Sequence, residues 1–275
     1  MSLAASLRQL SAETLACACA GERESLEQVL RVMQRPFYNL ARRMLHDRSL
    51  AEDATQEALL RVVTHLSEFR GEASFATWAT RVAVSAVLDF RSGMAREARR
   101  TFELFASSLD RGLDPTAVER PEDALLLKQA KKQCNQALLQ CLDGDHRIAF
   151  VLGDILEFED AQAAEILEIK PAAFRKRLSR ARAALTAFLA KKCSVHTAGA
   201  DCACHRQVGN SIRTGFVDPA ELEVQIGDLV QLRGKLARLD ADERTRGLYQ
   251  ADESLDLRES VLSSVRDTLF AMAAD

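Results

Sequence analysis

The 275-residue chain carries 40 acidic and 37 basic residues, a formal net charge of −3, and is 47% hydrophobic. That is enough apolar mass for about two domains. Only 12 glycines and 5 prolines argue against long low-complexity tracts, and no apolar run approaches the roughly 18 residues of a membrane span.

The N-terminus, MSLAASLRQLSAETLACACAGERE, carries Glu13 and no basic segment ahead of a clean apolar core, so no signal peptide and a cytoplasmic location are expected. A first helix falls near 12–20. A second, about 24–46, sets Leu26, Val29, Leu30, Met33, Phe37, Leu40, Ala41 and Leu45 on one stripe. Pro36 lies inside it and is expected to kink or split it. Ser49, with Glu52 three residues on, reads as a capping box for a helix carrying Ala54, Ala58, Leu59, Val62, Val63 and Leu66 inward. Ser74 caps the next, Phe75 to about Arg91, with Trp78, Val82, Ala86 and Phe90 spaced for burial.

Residues 99–121 contain Gly112, Pro115 and Pro121 with little periodicity and read as a linker. Four helices follow, about 122–142, 146–157, 160–167 and 171–191. Periodicity is helical throughout and strand signals are missing. The fold class is therefore all-α: two helical domains, 1–98 and 122–192, joined by a flexible linker, then a Cys/His segment (193–210) and an acidic helical extension (211–275).

From Lys170 to Lys192 there are eight Lys/Arg and no Asp or Glu. Asp160 is suited to cap a short helix carrying Ala163, Ala164 and Leu167 inward. Pro171 sits at a first helical position, where its missing N–H costs nothing. Phe174, Leu178, Ala181, Leu185 and Phe188 then repeat at three- and four-residue steps, leaving Arg175, Lys176, Ser179, Arg180 and Arg182 outward. A short helix, a tight turn and a cationic second helix make a helix-turn-helix whose second helix suits a DNA major groove. A basic face that merely meets solvent is the competing reading, and the exclusion of acids together with the proline-first pattern weighs against it.

Two segments resemble one family. HRIAFVLGDILEFEDAQAAEILEIKPAAFRKRLSRARAALTAFL resembles region 4 of extracytoplasmic-function (ECF) sigma factors of the sigma-70 family. FYNLARRMLHDRSLAEDATQEALLRVVTHLSEFRGEASFATWATRVAVSAVLDFRS resembles region 2. The resemblance spans about residues 24–192 and implies a protein that binds bacterial RNA polymerase core and directs it to promoters, with no catalysis of its own. By position it implies core contact through Asp53, Gln56 and Glu57. Phe75, Thr77, Trp78 and Arg81 would lie at the −10 element, and Lys170, Arg175, Lys176, Ser179 and Arg180 at the −35 element. Lys170 departs from the small capping residue usual before the proline. The resemblance leaves room for a separate anti-sigma partner.

The segment CSVHTAGADCACH offers Cys193, His196, Cys202 and Cys204, a Cys₃His set of the kind zinc accepts. Its C-x-C spacing is not the usual C-x₂-C knuckle. A thiol redox switch and plain packing stand beside metal binding. Cys17, Cys19, Cys134 and Cys141 lie on apolar stripes and are expected to be buried and inert. The tail 218–275 has 13 acids against 7 bases and apolar stripes such as Leu222, Ile226, Leu229, Leu232, Leu236 and Leu239. It is suited either to fold back as an inhibitor on the basic or polymerase-binding surfaces, or to pack as an independent helical pair. The rival functions are a two-domain helix-turn-helix regulator acting without polymerase and a metalloenzyme. The latter lacks an acid/base constellation beside the cysteines.

Overall fold

The computed structural model describes residues 7, 10–93, 101–117, 124–215, 217, 239–250 and 259–272. The described residues are helical, apart from turns and one isolated bridge. The helices are α1 (Ala12–Cys19), α2 (Arg23–Met44), α3 (Arg48–Thr64), α4 (Phe75–Gly93), α5 (Phe102–Gly112), α6 (Ala124–Leu139), α7 (Gly144–Phe150), α8 (Asp160–Ile166), α9 (Pro171–Lys192), α10 (Cys204–Arg213), α11 (Ala241–Gln250) and α12 (Glu259–Met272). The chain forms two compact units that are discontinuous in sequence. One takes residues 1–97, 148–178 and 254–275; the other takes 98–147 and 179–253.

In the first unit α3 packs along both α2 and α4. The close fit follows from composition: Ala51, Ala54 and Ala58 of α3 and Ala76, Ala79, Ala83 and Ala86 of α4 are all buried. Small side chains let the helices approach, while Val29, Met33, Phe37, Leu40 and Leu59 fill the layer between, at about 1.5–3 kcal/mol per large side chain buried. Pro36 does not split α2, which runs through it unbroken. Its neighbours Phe37 and Leu40 are locked in the core, and packing overrides the lost hydrogen bond. The N-cap of α3 is Asp47, whose Oδ1 accepts the Leu50 N–H at 2.8 Å, rather than Ser49. Asp47 sits one residue before the first helical one, where a carboxylate reaches the free N–H groups. Ser74 caps α4 as expected, accepting the Thr77 N–H at 3.1 Å.

After α7 the helix widens into a π-helical turn, Val151–Ile155, with the Leu156 N–H on the Val151 carbonyl at 2.8 Å. Gly153 lies against α9, so close that a Cβ there would come within 2.8 Å of the Leu178 Cδ2. The short helix α8 is capped by Glu159, reciprocally with Gln162, not by Asp160, which is already helical. The turn to α9 closes with Ile169 N–H on the Ala164 carbonyl (3.0 Å) and Glu168 N–H on that of Glu165 (3.1 Å). Glu168 holds φ 53° there, a Schellman ending with a non-glycine residue at the left-handed position. The last described helix of this unit, α12, packs on α3 with Val261 and Val265 buried.

In the second unit the segment expected to be an irregular linker contains α5. Thr101 Oγ1 accepts the Leu104 N–H at 3.2 Å. Phe102 and Phe105 meet Phe188 at ring-centroid distances of 5.7 and 5.6 Å. Helix α10 packs on α5 and α6. Gln207 ties it down by donating to the Leu109 carbonyl at 2.7 Å, and Lys192 pairs with Asp110 at 2.7 Å. On α11, Thr245 and Leu248 are buried, and the Leu248 carbonyl accepts from Asn135 Nδ2 at 3.4 Å. Of the expected stripe Leu222–Leu239, Leu222 to Leu236 lie outside the described residues, and Leu239 is exposed.

Candidate nucleic-acid interface

The helix-turn-helix is present as a short α8, a tight turn, then α9 beginning at Pro171. Phe174 and Leu178 on the first unit's portion of α9 are buried, as are Ala181, Leu185 and Leu189 on the second's. Arg175, Lys176, Ser179 and Arg180 are exposed, and Arg182 is half-buried. Arg175 reaches Asp160 only at 4.0 Å, with both side chains about half exposed, a pair that contributes little in water. Lys170 occupies the position ahead of α9, and its carbonyl accepts the Phe174 N–H at 3.1 Å. A lysine side chain has no acceptor with which to cap the helix, so the end of α9 keeps its own partial positive charge beside an added cation.

On α3, Asp53 is exposed and Gln56 and Glu57 are half-buried. Glu57 accepts from Arg61 Nε at 2.6 Å, and Arg61 Nη1 reaches Asp89 on α4 at 2.7 Å. Both carboxylates raise the guanidinium pKa, Asp89 the more. Gln56 Nε2 donates to Ser264 Oγ of α12 at 3.0 Å. One side chain of this trio is thus engaged by the far C-terminus.

At the start of α4 the four residues separate by depth. Phe75 and Thr77 are buried; Trp78 and Arg81 are half-buried. Trp78 caps an aromatic trio, 5.5 Å from Phe69 and 6.0 Å from Phe75, with Phe69 and Phe75 themselves edge-on at 5.5 Å.

The Cys/His quartet does not come together as a metal centre. Among the described residues no group of three or more His, Cys, Asp or Glu is arranged to hold an ion. His196 is buried away from the thiols' shared cavity, with Nε2 donating to the Ala241 carbonyl at 3.1 Å and Nδ1 2.9 Å from the Thr197 hydroxyl. Burial, the largest influence, lowers its pKa against the raising effect of the Ala241 carbonyl, with Arg244 lowering it further. The proposed zinc set is therefore corrected: the imidazole is used in packing α11, and the residues do not fit the ion. Cys193, Cys202 and Cys204 instead line a cavity with Cys134. Cys141 is buried as expected, but Cys17, Cys19 and Cys134 are only half-buried, and none of the seven cysteines is in a disulfide.

Comparison with known proteins places these elements. The family model described as Sigma-70 region 2 matches residues 30–99, and that described as Sigma-70, region 4 matches residues 127–185. The ECF RNA polymerase sigma factor SigM of Mycobacterium tuberculosis H37Rv is 29% identical over 179 residues, 65% of this chain and 84% of that protein. The chain is an ECF sigma factor of the sigma-70 family. The RNA polymerase sigma-H factor of Pseudomonas aeruginosa is similar at 27% identity, covering 60% of this sigma factor and 86% of that one. SigW of Bacillus subtilis is 25% identical, covering 60% and 89%. A solved structure of CnrH in complex with the cytosolic domain of CnrY aligns with a TM-score of 0.46 and 21% identity, over 64% of this chain and 94% of that one.

The region 2 match takes in most of α2 with α3 and α4; the region 4 match runs from α6 into α9. The cysteine segment and α10–α12 of this sigma factor fall outside both. Sequence reasoning missed Ser264, which touches Gln56 from 208 residues away and has no local signal. It also missed Cys134 as a cavity residue and the Arg61 bridge between α3 and α4. The last had a signal in the Glu57–Arg61 spacing, which puts both side chains on one helix face.

Proposed function

We infer that this protein associates with bacterial RNA polymerase core and directs it to promoters bearing a particular pair of upstream elements. The observation that carries this reading is the presence of both sigma-70 regions, in order, on one chain. In this reading Asp53, Gln56 and Glu57 on α3 meet core polymerase. Lys170, Arg175, Lys176, Ser179 and Arg180 meet the −35 element, with arginines suited to guanine edges and lysines to phosphates. Trp78 and Arg81 take the exposed part of the −10 contact, a ring for stacking and a cation for the backbone. Phe75 and Thr77, both buried, shape the platform beneath. The protein acts as an initiation factor rather than a catalyst and works in the cytoplasm; among the described residues no helix is long and apolar enough to cross a membrane. An anti-sigma factor is a further candidate partner.

The C-terminal helix gives the reading a regulatory side. Helix α12 covers part of α3 and engages Gln56, and α8 packs against α4. In this reading that arrangement is a closed state in which α12 blocks part of the core-binding face, and binding of core displaces it. The alternative, a helix-turn-helix regulator independent of polymerase, has no comparable support from the region 2 match. Run-off transcription with purified core decides between them. Deleting residues 210–275 tests the closed state, and unchanged core affinity would refute it.

A further inference from the structure

Cys193 and Cys202 face one another in an isolated parallel β-bridge. The Cys202 N–H donates to the Lys192 carbonyl at 3.1 Å, and the Ser194 N–H donates to the Cys202 carbonyl at 3.0 Å. Bridged backbones lie about 4.8 Å apart, inside the ~4.4–6.8 Å Cα separation that a disulfide spans. Paired residues also direct their side chains to the same face. That face is a cavity of about 80 Å³, which both cysteines line together with Phe105, Phe188, Cys134 and Cys204. The cavity is large enough for more than one water or a small peroxide. The intervening loop turns at Gly199 with φ 85°, where no Cβ is accommodated without strain.

We propose that Cys193 and Cys202 are a peroxide-oxidisable dithiol that closes to a reversible disulfide, clipping the C-terminal end of α9 to the start of α10. The chemistry balances with the peroxide as the named oxidant. The Cys193 sulfur attacks one peroxide oxygen; the O–O bond breaks, the second oxygen leaves as water or an alcohol, and Cys193 becomes a sulfenic acid. The Cys202 sulfur then attacks the Cys193 sulfur and the sulfenic hydroxyl leaves as water, taking up the Cys202 proton. Two thiols have lost two electrons and the peroxide has gained them. The order follows from the environment. Burial, followed by the neighbouring Cys193, pushes the Cys202 pKa up to about 11, which keeps Cys202 a thiol while Cys193 meets the oxidant. Gln207 Nε2 donates to the Cys202 sulfur at 3.6 Å and holds it in place. A disulfide in a reducing compartment is of the transient, sensing kind.

The disulfide stands on geometry alone; its effect on transcription rests on the sigma-factor reading. Full-length reduced protein is treated with stoichiometric hydrogen peroxide, alkylated with N-ethylmaleimide and mapped by mass spectrometry. The expected result is five alkylated cysteines in place of seven and one peptide pair joining Cys193 to Cys202, reversed by dithiothreitol. C202S should trap Cys193 as a sulfenic acid captured by dimedone, whereas C134S and C204S should still lose two alkylations. Seven alkylated cysteines, a pair made with Cys134 or Cys204, or dimedone capture at Cys202 in C193S would each overturn the proposal. Run-off transcription on the same samples keeps the two inferences apart: a reduced protein that forms the disulfide but never initiates refutes the sigma reading and leaves the dithiol intact.

Discussion

Val265→Asp tests the closed state at a fully buried point of α12. Val265 of α12 has no exposed surface, and α12 packs on α3. Losing that burial costs about 1.5–3 kcal/mol, and an unpaired carboxylate in the same place adds a further desolvation penalty. The helix therefore leaves α3 sooner than it accommodates the change. A contact worth about 1.5–3 kcal/mol that holds the core-binding face closed lowers apparent core affinity about 10- to 100-fold, at tenfold per ~1.4 kcal/mol. V265D should raise affinity for core polymerase by up to that factor, measured by titrating fluorescently labelled protein with core. Far-UV circular dichroism checks that the helices persist. Ser264→Ala, which removes only the Gln56 hydrogen bond, should raise it less, about fivefold for ~1 kcal/mol. Unchanged or weakened core binding by a folded V265D protein would refute the reasoning.

Replacing Arg175 and Lys176 with alanine should weaken −35-element binding by the holoenzyme at least tenfold and flatten its salt dependence; band-shift titrations at several salt concentrations read both effects, with core binding unchanged. Lowering pH through the ordinary histidine value near 6.5 should destabilise the protein through His196. Its folded pKa is depressed by burial, so the stability it contributes is present above that value and lost as the imidazole is forced to charge; thermal unfolding of wild type against His196→Gln across pH 5–8 measures it. Cys202, raised from 9.0 to about 11, should alkylate at pH 8 about 100-fold more slowly than an ordinary exposed thiol, at tenfold per pKa unit, as timed labelling with iodoacetamide would show.

Much of the first unit is written in its apolar spacing. The α2 and α3 stripes are buried nearly as the 3.6-residue period requires, with Leu26 and Val63 only partly so. The α4 stripe is less complete: of Trp78, Val82, Ala86 and Phe90 only Ala86 is buried, while Ala79, Ala83 and Val87 are fully packed. Alanines carry little hydropathic signal, yet they let α3 approach. Pro36 does not split α2, because one lost hydrogen bond is outweighed by a core that holds Phe37 and Leu40. In 99–121 Pro115 and Pro121 lie beyond α5, whose Thr101 cap and Phe102–Phe105–Leu109 spacing are local signals of a helix. The exposed cations of α9 follow from the same periodicity that buries Phe174 and Leu178. The Gln56–Ser264 contact and the Cys193–Cys202 bridge do not, since both depend on how distant segments meet.

The most direct measurement is run-off transcription from a promoter library with purified bacterial core polymerase, with and without this protein. The account predicts discrete transcripts only when both are present, sharing paired −10 and −35 sequences, and weak DNA binding by the protein alone. Nanomolar operator binding without core, together with no initiation when core is added, would contradict it.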